Sequence, residues 1–185
     1  AALQASLGYF EAAGYTVEDG KLTAAPEGAK LTYEMTIGAS GSGDHPSFAI
    51  LTDAKQALEK IGFTLEINDV TDANIMWDKL NAGTAEMWAA AWQATVDPDM
   101  YQIYHSDSVK SNYYHINDAT LDQDIIDARS SADQEYRKSV YKQCLDIILD
   151  WAVEIPIYQR QNCIIYSPER LNADTFTKDV STFYY

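Results

Sequence analysis

Apolar and polar residues alternate along this chain with two different periods, and the switches between them mark its elements. From Leu3 to Ala13 the apolar positions follow a helical spacing, and Gly14 stands where a left-handed cap would end the helix. The stretch YTVEDGKL reads as a short excursion that turns at Asp19-Gly20. Strict alternation follows in Leu31, Tyr33, Met35 and Ile37, the signature of a strand. Pro46 then sits where a first helical turn tolerates it, and Ile50, Ala54, Leu58 and Ile61 recur at helical spacing up to Gly62. A second strand is expected over Thr64 to Asn68, a helix capped by Asp72 as far as Asn81, and a third strand over Glu86 to Trp92. The order β, α, β, α, β favours parallel strands joined by right-handed crossovers over an antiparallel sandwich.

The second half changes character. Leu121 to Ala132 forms one amphipathic run, and Asp133 caps a longer one. That longer run places Val140, Tyr141, Cys144, Leu145, Ile148, Leu149 and Ala152 on one face. Ile155 to Tyr166 is expected to be a long strand, with Pro156 near its start, where a missing donor is tolerated. No repeat, linker or low-complexity segment interrupts the 185 residues, so a single domain of α/β class is expected.

Composition narrows the function. With 46% apolar and 22% charged residues the chain is globular, and a net charge of -15 with only 13 Lys and Arg excludes phosphate-backbone binding. No apolar run approaches the ~20 residues that span a bilayer. The chain opens on AALQASLGYFEAAGY, already helical in pattern and without a leader signature, which fits a cytosolic, a processed or an excised chain. Cys144 and Cys163 match no metal spacing, and with three histidines no zinc site is expected. The two thiols are either bridged or separately buried.

Candidate chemistry concentrates in two places. GASGSG lies after a strand and before a helix, where backbone N–H groups attract anions, but it fits neither dinucleotide nor phosphate-loop spacing and no Lys follows it. A small-residue loop at the C-terminal end of a strand is still where ligands of open α/β sheets bind, and His45 would face that crevice or cap the helix. Asp97 and Asp99 flank Pro98; as a turn pair they suit capping better than a glycosidase couple, whose carboxylates stand ~5 to 9 Å apart across one bond. DATLDQD lacks the central Gly and terminal Glu of a calcium loop and reads as a helix cap. No nucleophile–base constellation stands out. In MWAAAWQATVDPDMY, Trp88 and Trp92 bracket three alanines, a poor core filling that leaves space beside the indoles. Trp88, Trp92, Tyr101 and Tyr104 with Gln93, Thr95 and Asp97 form either a binding wall or core.

Three stretches together carry a family resemblance: YFEAAGYTVEDGKL, LNAGTAEMWAAAWQATVDPDMY and DQEYRKSVYKQCLDIILDWAVEIPIYQRQN. In order and spacing they resemble the C-terminal lobe of the peptide- and nickel-type extracytoplasmic solute-binding proteins, the receptors of ABC importers. The resemblance covers nearly the whole chain. It implies one lobe of a two-lobed, type II periplasmic-binding-protein-like fold, a mixed sheet flanked by helices, excised from a longer receptor whose N-terminal lobe completes the cleft. The partners implied are a peptide or peptide-like solute and the ABC permease subunits; no catalytic residue, metal or cofactor is implied. The location implied is extracytoplasmic, either periplasmic or lipid-anchored at the outer face of the cell membrane.

The resemblance also places the site. The backbone of Ala91 and Gln93 would pair with an extended peptide, Trp92 would wall the pocket, and His45 would lie near the cleft. Peptide receptors of this type carry an Asp three residues after the Trp that pairs with the peptide ammonium, and here that position is Thr95. Either Asp97 takes over from a shifted turn, or the ligand lacks a free amino terminus. A solute other than peptide, such as a nickel chelate or an oligosaccharide, belongs to the same reading. The contrasting expectations are an α/β hydrolase using Asp97, Asp99 and His45, or a signalling or scaffold domain.

Overall fold

The computed structural model describes residues 2–92, 97–159 and 165–175, in two compact units that divide after Val153. Gln93, Thr95 and Cys163 therefore lie outside the described residues, as does the middle of the expected strand at 155–166.

The first unit opens with helix α1 (Ala2–Ala12) and a hairpin of β1 (Thr16–Glu18) and β2 (Lys21–Ala24), turned by Asp19 and Gly20, both with positive φ. Three parallel strands follow: β3 (Thr32–Ile37), β4 (Thr64–Asp69) and β5 (Met87–Ala89). Their order is β4-β3-β5, so the chain leaves the central strand to one side and returns on the other. The connecting helices are α2 (Pro46–Glu59) and α3 (Ala73–Asn81). Expected order, parallel pairing and caps are all present, with Asp72 accepting from Asn74 N at 2.9 Å.

The pleat assigns the two faces of β3 to different helices. Met35 and Ile37 pack with Leu51 of α2, whereas Glu34 pairs with Lys79 of α3 and Gly38 backs onto Ala73, 3.2 Å from where a Cβ would stand. The face under α3 is partly polar. Thr36, fully buried, donates to Glu34 at 3.0 Å, and Asn68 donates to the other oxygen at 3.1 Å. Lys79 and these donors hold the Glu34 carboxyl below its ordinary range. On α2 the buried residue is Leu51, while Ile50, expected on the inner stripe, is 38% exposed. The sheet contact is centred on Leu51 and Leu58, and Ile50 stands one residue, about 100°, around the helix.

A hydrophobic cluster of Leu7, Leu22, Ile61 and Phe63 ties α1 and the hairpin to the end of α2. Leu22 N donates to Ile61 O at 2.8 Å, and Gly62 (φ +83) permits that approach, since a Cβ there would lie 2.7 Å from Leu22 O.

The helical part of this unit comprises α4 (Tyr101–Tyr104), α5 (Ala119–Arg129) and α6 (Gln134–Trp151). Its core is Ile116, Leu121, Ile125, Ala128, Val140, Tyr141, Cys144 and Ile148. Asp118 and Asp133 cap the two longer helices as their positions predict. Leu145 and Leu149, expected on the buried face, are 48% and 64% exposed. The stripe read from the sequence is wider than the surface α5 covers. Cys144 is a free, buried thiol whose pKa burial pushes up to about 11, with Asp124 adding to the shift.

In the second unit the described stretch 154–159 carries no strand, and Ile155 is 80% exposed. β-branched composition suggests a strand, but a ladder partner makes one, and none is paired with these residues among those described. Asn172 accepts from Asp174 N at 3.0 Å and shapes a short 3-10 turn at Ala173–Thr175.

Candidate functional site

Register brings the C-terminal ends of the three strands to one edge. Ile37 pairs with both Asp69 and Ala89, so the loops 38–45, 70–72 and 90–92 leave the sheet side by side. An open parallel sheet binds ligands at such an edge, beside the strand where the chain reverses its direction of winding.

The loop holding GASGSG is fastened from below. Asp69, the last residue of β4, accepts from Ala39 N at 3.0 Å and from Gly43 N at 3.2 Å, one bond to each carboxylate oxygen. Gly41 (φ +72) lies against Thr71, where a Cβ would come within 2.9 Å of Cγ2. An internal carboxylate thus takes the N–H groups that a phosphate would need, which explains physically why the loop is no phosphate cradle. His45 is exposed and caps α2, with Nδ1 accepting from Ser47 N at 3.2 Å.

The opposite wall is aromatic. Strand β5 ends at Ala89 because β3, its ladder partner, ends at Ile37, so Ala90–Trp92 leave the sheet and the strand ends three residues before the expected Trp92. Trp88 stays on the strand and stacks on Tyr114 at 5.4 Å; Tyr114 in turn stacks on Tyr104 at 5.7 Å. Trp92 stands edge-on to Trp88 at 6.5 Å and donates from Nε1 to Tyr114 Oη at 2.9 Å, while remaining 42% exposed. Tyr113 meets both Trp88 and Trp77 and donates to Asn81 Oδ1 at 3.2 Å. Each such ring pair contributes about 0.5–1.5 kcal/mol beyond area burial, so Trp92 is an exposed indole on a stiff support. The earlier choice between core and wall therefore divides, with Trp88 packed and Trp92 presented. Behind the stack, near Gly83 and Glu86, Trp88, Tyr113 and Tyr114 also line a cavity of about 280 Å³.

Tyr101, expected in this wall, lies elsewhere. It packs 4.2 Å from His105 and under the Arg129 guanidinium at 4.4 Å. Tyr113 and Tyr114 were not singled out from the sequence. Their signal was the pair itself in SNYYHIN, and the buried Asn112 fixes that loop by donating to Ile116 O at 2.8 Å.

Asp97 and Asp99 are both held by the α5–α6 hairpin. Arg129, ending α5, pairs with Asp99 at 3.1 Å, and Arg137, in the first turns of α6, pairs with Asp97 at 2.7 Å. Asp99 also accepts from Tyr101 N at 3.0 Å. The side chain of Arg137 is 14% exposed and that of Asp97 58%. Asp97 holds the guanidinium pKa above its ordinary value. Ala91 is exposed beside Trp92. Among the described residues no group of three or more His, Cys, Asp or Glu is placed to hold a metal, and no helix is long and apolar enough to cross a membrane.

No protein-family model matches the chain, and no curated protein sequence matches it significantly. Solved structures do match. The oligopeptide-binding protein AppA of Bacillus subtilis, in complex with a nonapeptide, superposes with a TM-score of 0.64 at 22% identity, over 77% of this chain and 28% of that one. NikZ of Campylobacter jejuni, in complex with Ni(L-His), gives 0.64 at 19% identity over 82% and 30%. The fold is that of a lobe of these binding proteins. NikA of Brucella suis, in complex with Fe(III)-EDTA, gives 0.59 at 21% identity over 78% and 29%. The chain spans under a third of the length of each of these three structures. All are substrate-binding proteins rather than enzymes, in agreement with the resemblance carried by the three sequence stretches.

Proposed function

We propose that the chain is the solute-binding lobe of an extracytoplasmic receptor serving an ABC importer, and that it takes an oligopeptide-like solute against the Trp92 wall. The observation that carries this reading is the exposed Trp92 indole, held by Tyr114 and Trp88 at the C-terminal edge of a parallel sheet. An indole face gives apolar contact that is indifferent to the side chain it meets, while neighbouring backbone groups supply direction. Ala91, Gln93 and Thr95 are assigned to backbone and hydroxyl contacts along the solute, and His45 to the opposite rim. Asp97 is assigned to supporting the turn. A second lobe closes the cleft by hinge motion and the permease receives the solute. The protein acts periplasmically or lipid-anchored at the outer face of the membrane.

Catalysis finds no support at the residues a hydrolase would need. Asp97 and Asp99 each pair with an arginine, and His45 spends Nδ1 on a helix cap. Recognition of a chelated metal or an oligosaccharide by the same wall remains the alternative solute class.

The test is isothermal titration of the full-length protein with short peptides, a nickel–histidine chelate and oligosaccharides, in wild type and Trp92→Ala. Peptide binding weakened at least ~10-fold by Trp92→Ala is expected, because a central aromatic anchor carries about 2 kcal/mol or more. Binding of peptide unaffected by the substitution sinks the assignment of the wall; binding of chelate or sugar alone moves the solute class.

A further inference from the structure

The cavity behind the aromatic stack lies at the entry of β5, since Gly83 and Glu86 precede the strand whereas Ala90–Trp92 follow it. Its whole lining belongs to the first unit. That lining grades from buried Leu80 through half-buried Trp88, Tyr113 and Tyr114 to exposed Gly83, Glu86 and His115, so the cavity opens to solvent on its polar side.

The walls are held in place from outside the cavity. Trp88 is stacked on Tyr114 and edge-on to Tyr113, and Tyr113 donates to Asn81. His115 has φ 56, a left-handed backbone uncommon in non-glycine residues, and Asn112 enforces it. His115 N donates to Asn112 O at 3.2 Å, while the Asn112 side chain bonds both the N–H and the C=O of Ile116. A strained backbone persists where its surroundings over-determine it, and here it brings an imidazole to the mouth of the cavity.

Volume and charge then define the occupant. A cavity of about 150 Å³ accommodates benzene, so one of about 280 Å³ takes a flat bicyclic molecule. Three aromatic walls favour a ring, by stacking or by edge contact. Glu86 is the only acid of the lining. Its carboxylate accepts from Glu34 N at 2.8 Å and pairs with Lys30, and these two contacts hold its pKa below the ordinary range. An ionised carboxylate accepts well from an N–H or O–H and repels an anion. With Lys30 already its counter-ion, it offers a cation little more than it offers a neutral donor.

We propose that this cavity is a second ligand site, separate from the Trp92 wall, for a flat, uncharged, bicyclic molecule of indole size that donates one N–H or O–H to Glu86. The site does not depend on which solute the Trp92 wall takes.

Full-length protein, wild type and Glu86→Gln, is titrated with indole, N-methylindole, tryptamine and indoleacetate, followed by ligand-observed NMR. Indole is expected to bind wild type with a Kd of about 1 mM or tighter, the range open to a ligand of so few atoms. N-methylindole lacks the donor and indoleacetate brings a like charge, so each is expected to bind about tenfold more weakly, with tryptamine within about threefold of indole. Glu86→Gln is expected to narrow the preference for indole over N-methylindole from about tenfold to about threefold, because a neutral amide accepts more weakly than a carboxylate. General loosening of the cavity would weaken both and leave their ratio unchanged, which overturns the role given to Glu86. A brominated indole soaked into crystals of the protein locates the site, with the bromine expected among Trp88, Tyr113 and His115. If Glu86→Gln does not fold, the wild-type order and the bromine position decide. Indole that fails to bind at about 10 mM, a tenfold preference for tryptamine or indoleacetate, or a bromine seated only at Trp92 each overturns the proposal.

Discussion

Asp69 offers the sharpest test of how the site is built. Its carboxylate accepts from Ala39 N at 3.0 Å and Gly43 N at 3.2 Å, bridging the two ends of the GASGSG loop from the end of β4. Hydrogen bonds to a charged acceptor contribute about 1.5–3 kcal/mol each, which gives a lower figure of about 3 kcal/mol for the pair. Water reaches a half-buried site and replaces part of each bond, so about 2 kcal/mol is expected to be lost in Asp69→Ala. Asp69→Asn is the more informative change. It keeps volume and one acceptor, but turns an NH2 donor toward one of two N–H donors, so it is expected to cost nearly as much as alanine. Amide exchange under native conditions reads this directly: about 2 kcal/mol is a loss of protection of roughly 30-fold at Ala39 and Gly43, while Leu121 and Ile125 in the helical core keep theirs. The reasoning fails if Asp69→Asn leaves both amides as protected as in wild type. Loosening spread evenly over the core would instead assign Asp69 to global stability.

Other consequences are as direct. Asp124 is held above its ordinary pKa by burial and by Asp127 and Asp118; the folded state thus disfavours its charge, a cost present at neutral pH that vanishes below 3.8, where both states hold the proton. Asp124→Asn is therefore expected to raise the thermal midpoint at pH 7 and to lose that advantage near pH 3, as read by calorimetry. Ala152 ends α6 with φ 51, and Ala152→Gly is expected to stabilise by about 1 kcal/mol in urea titrations, the relief of a left-handed Cβ. Gly62→Ala, meeting Leu22 O at 2.7 Å with φ +83, is expected to cost over ~2 kcal/mol and to expose the Leu7 cluster to exchange first. Tyr114→Phe removes the acceptor of the Trp92 indole and is expected to weaken solute binding about three- to tenfold with little change in stability.

What the sequence revealed follows from how local each signal is. Caps, turns and the alternation of β3 are set within a few residues, so Asp72, Asp118, Asp133 and the Asp19-Gly20 turn were legible. The parallel order followed from element sequence alone. Burial of a particular helix face is not local, and Ile50, Leu145 and Leu149 were misplaced because the neighbour decides how wide a stripe it covers. Strand length failed at β5, where a ladder partner and not composition ends the strand, and the described residues 155–159 carry no strand for want of a described partner. At the site, Trp92 and His45 were visible as residue types, but the Tyr114 that orients the indole is 22 positions away and the Arg137 that engages Asp97 is 40 away.

Those distant contacts divide the work of the site. One side is fixed through the sheet, by Asp69 under the small-residue loop; another through packing, by Tyr114 and Trp88 around Trp92; and Asp97 and Asp99 by two ion pairs to a helical hairpin. Each support engages a charge or donor of the chain in an internal contact. A chain of net charge -15 thus carries, at the C-terminal edge of its parallel sheet, an exposed indole, while Asp97 and Asp99 further along the chain each pair with an arginine. Its overall field can steer cationic solutes toward the molecule without selecting among them once they arrive, because steering acts over a Debye length of about 10 Å whereas discrimination requires an uncompensated charge in contact. On the proposed reading, selectivity at this wall would come from shape and from backbone pairing, the two properties that a receptor for solutes of varied side chains needs most.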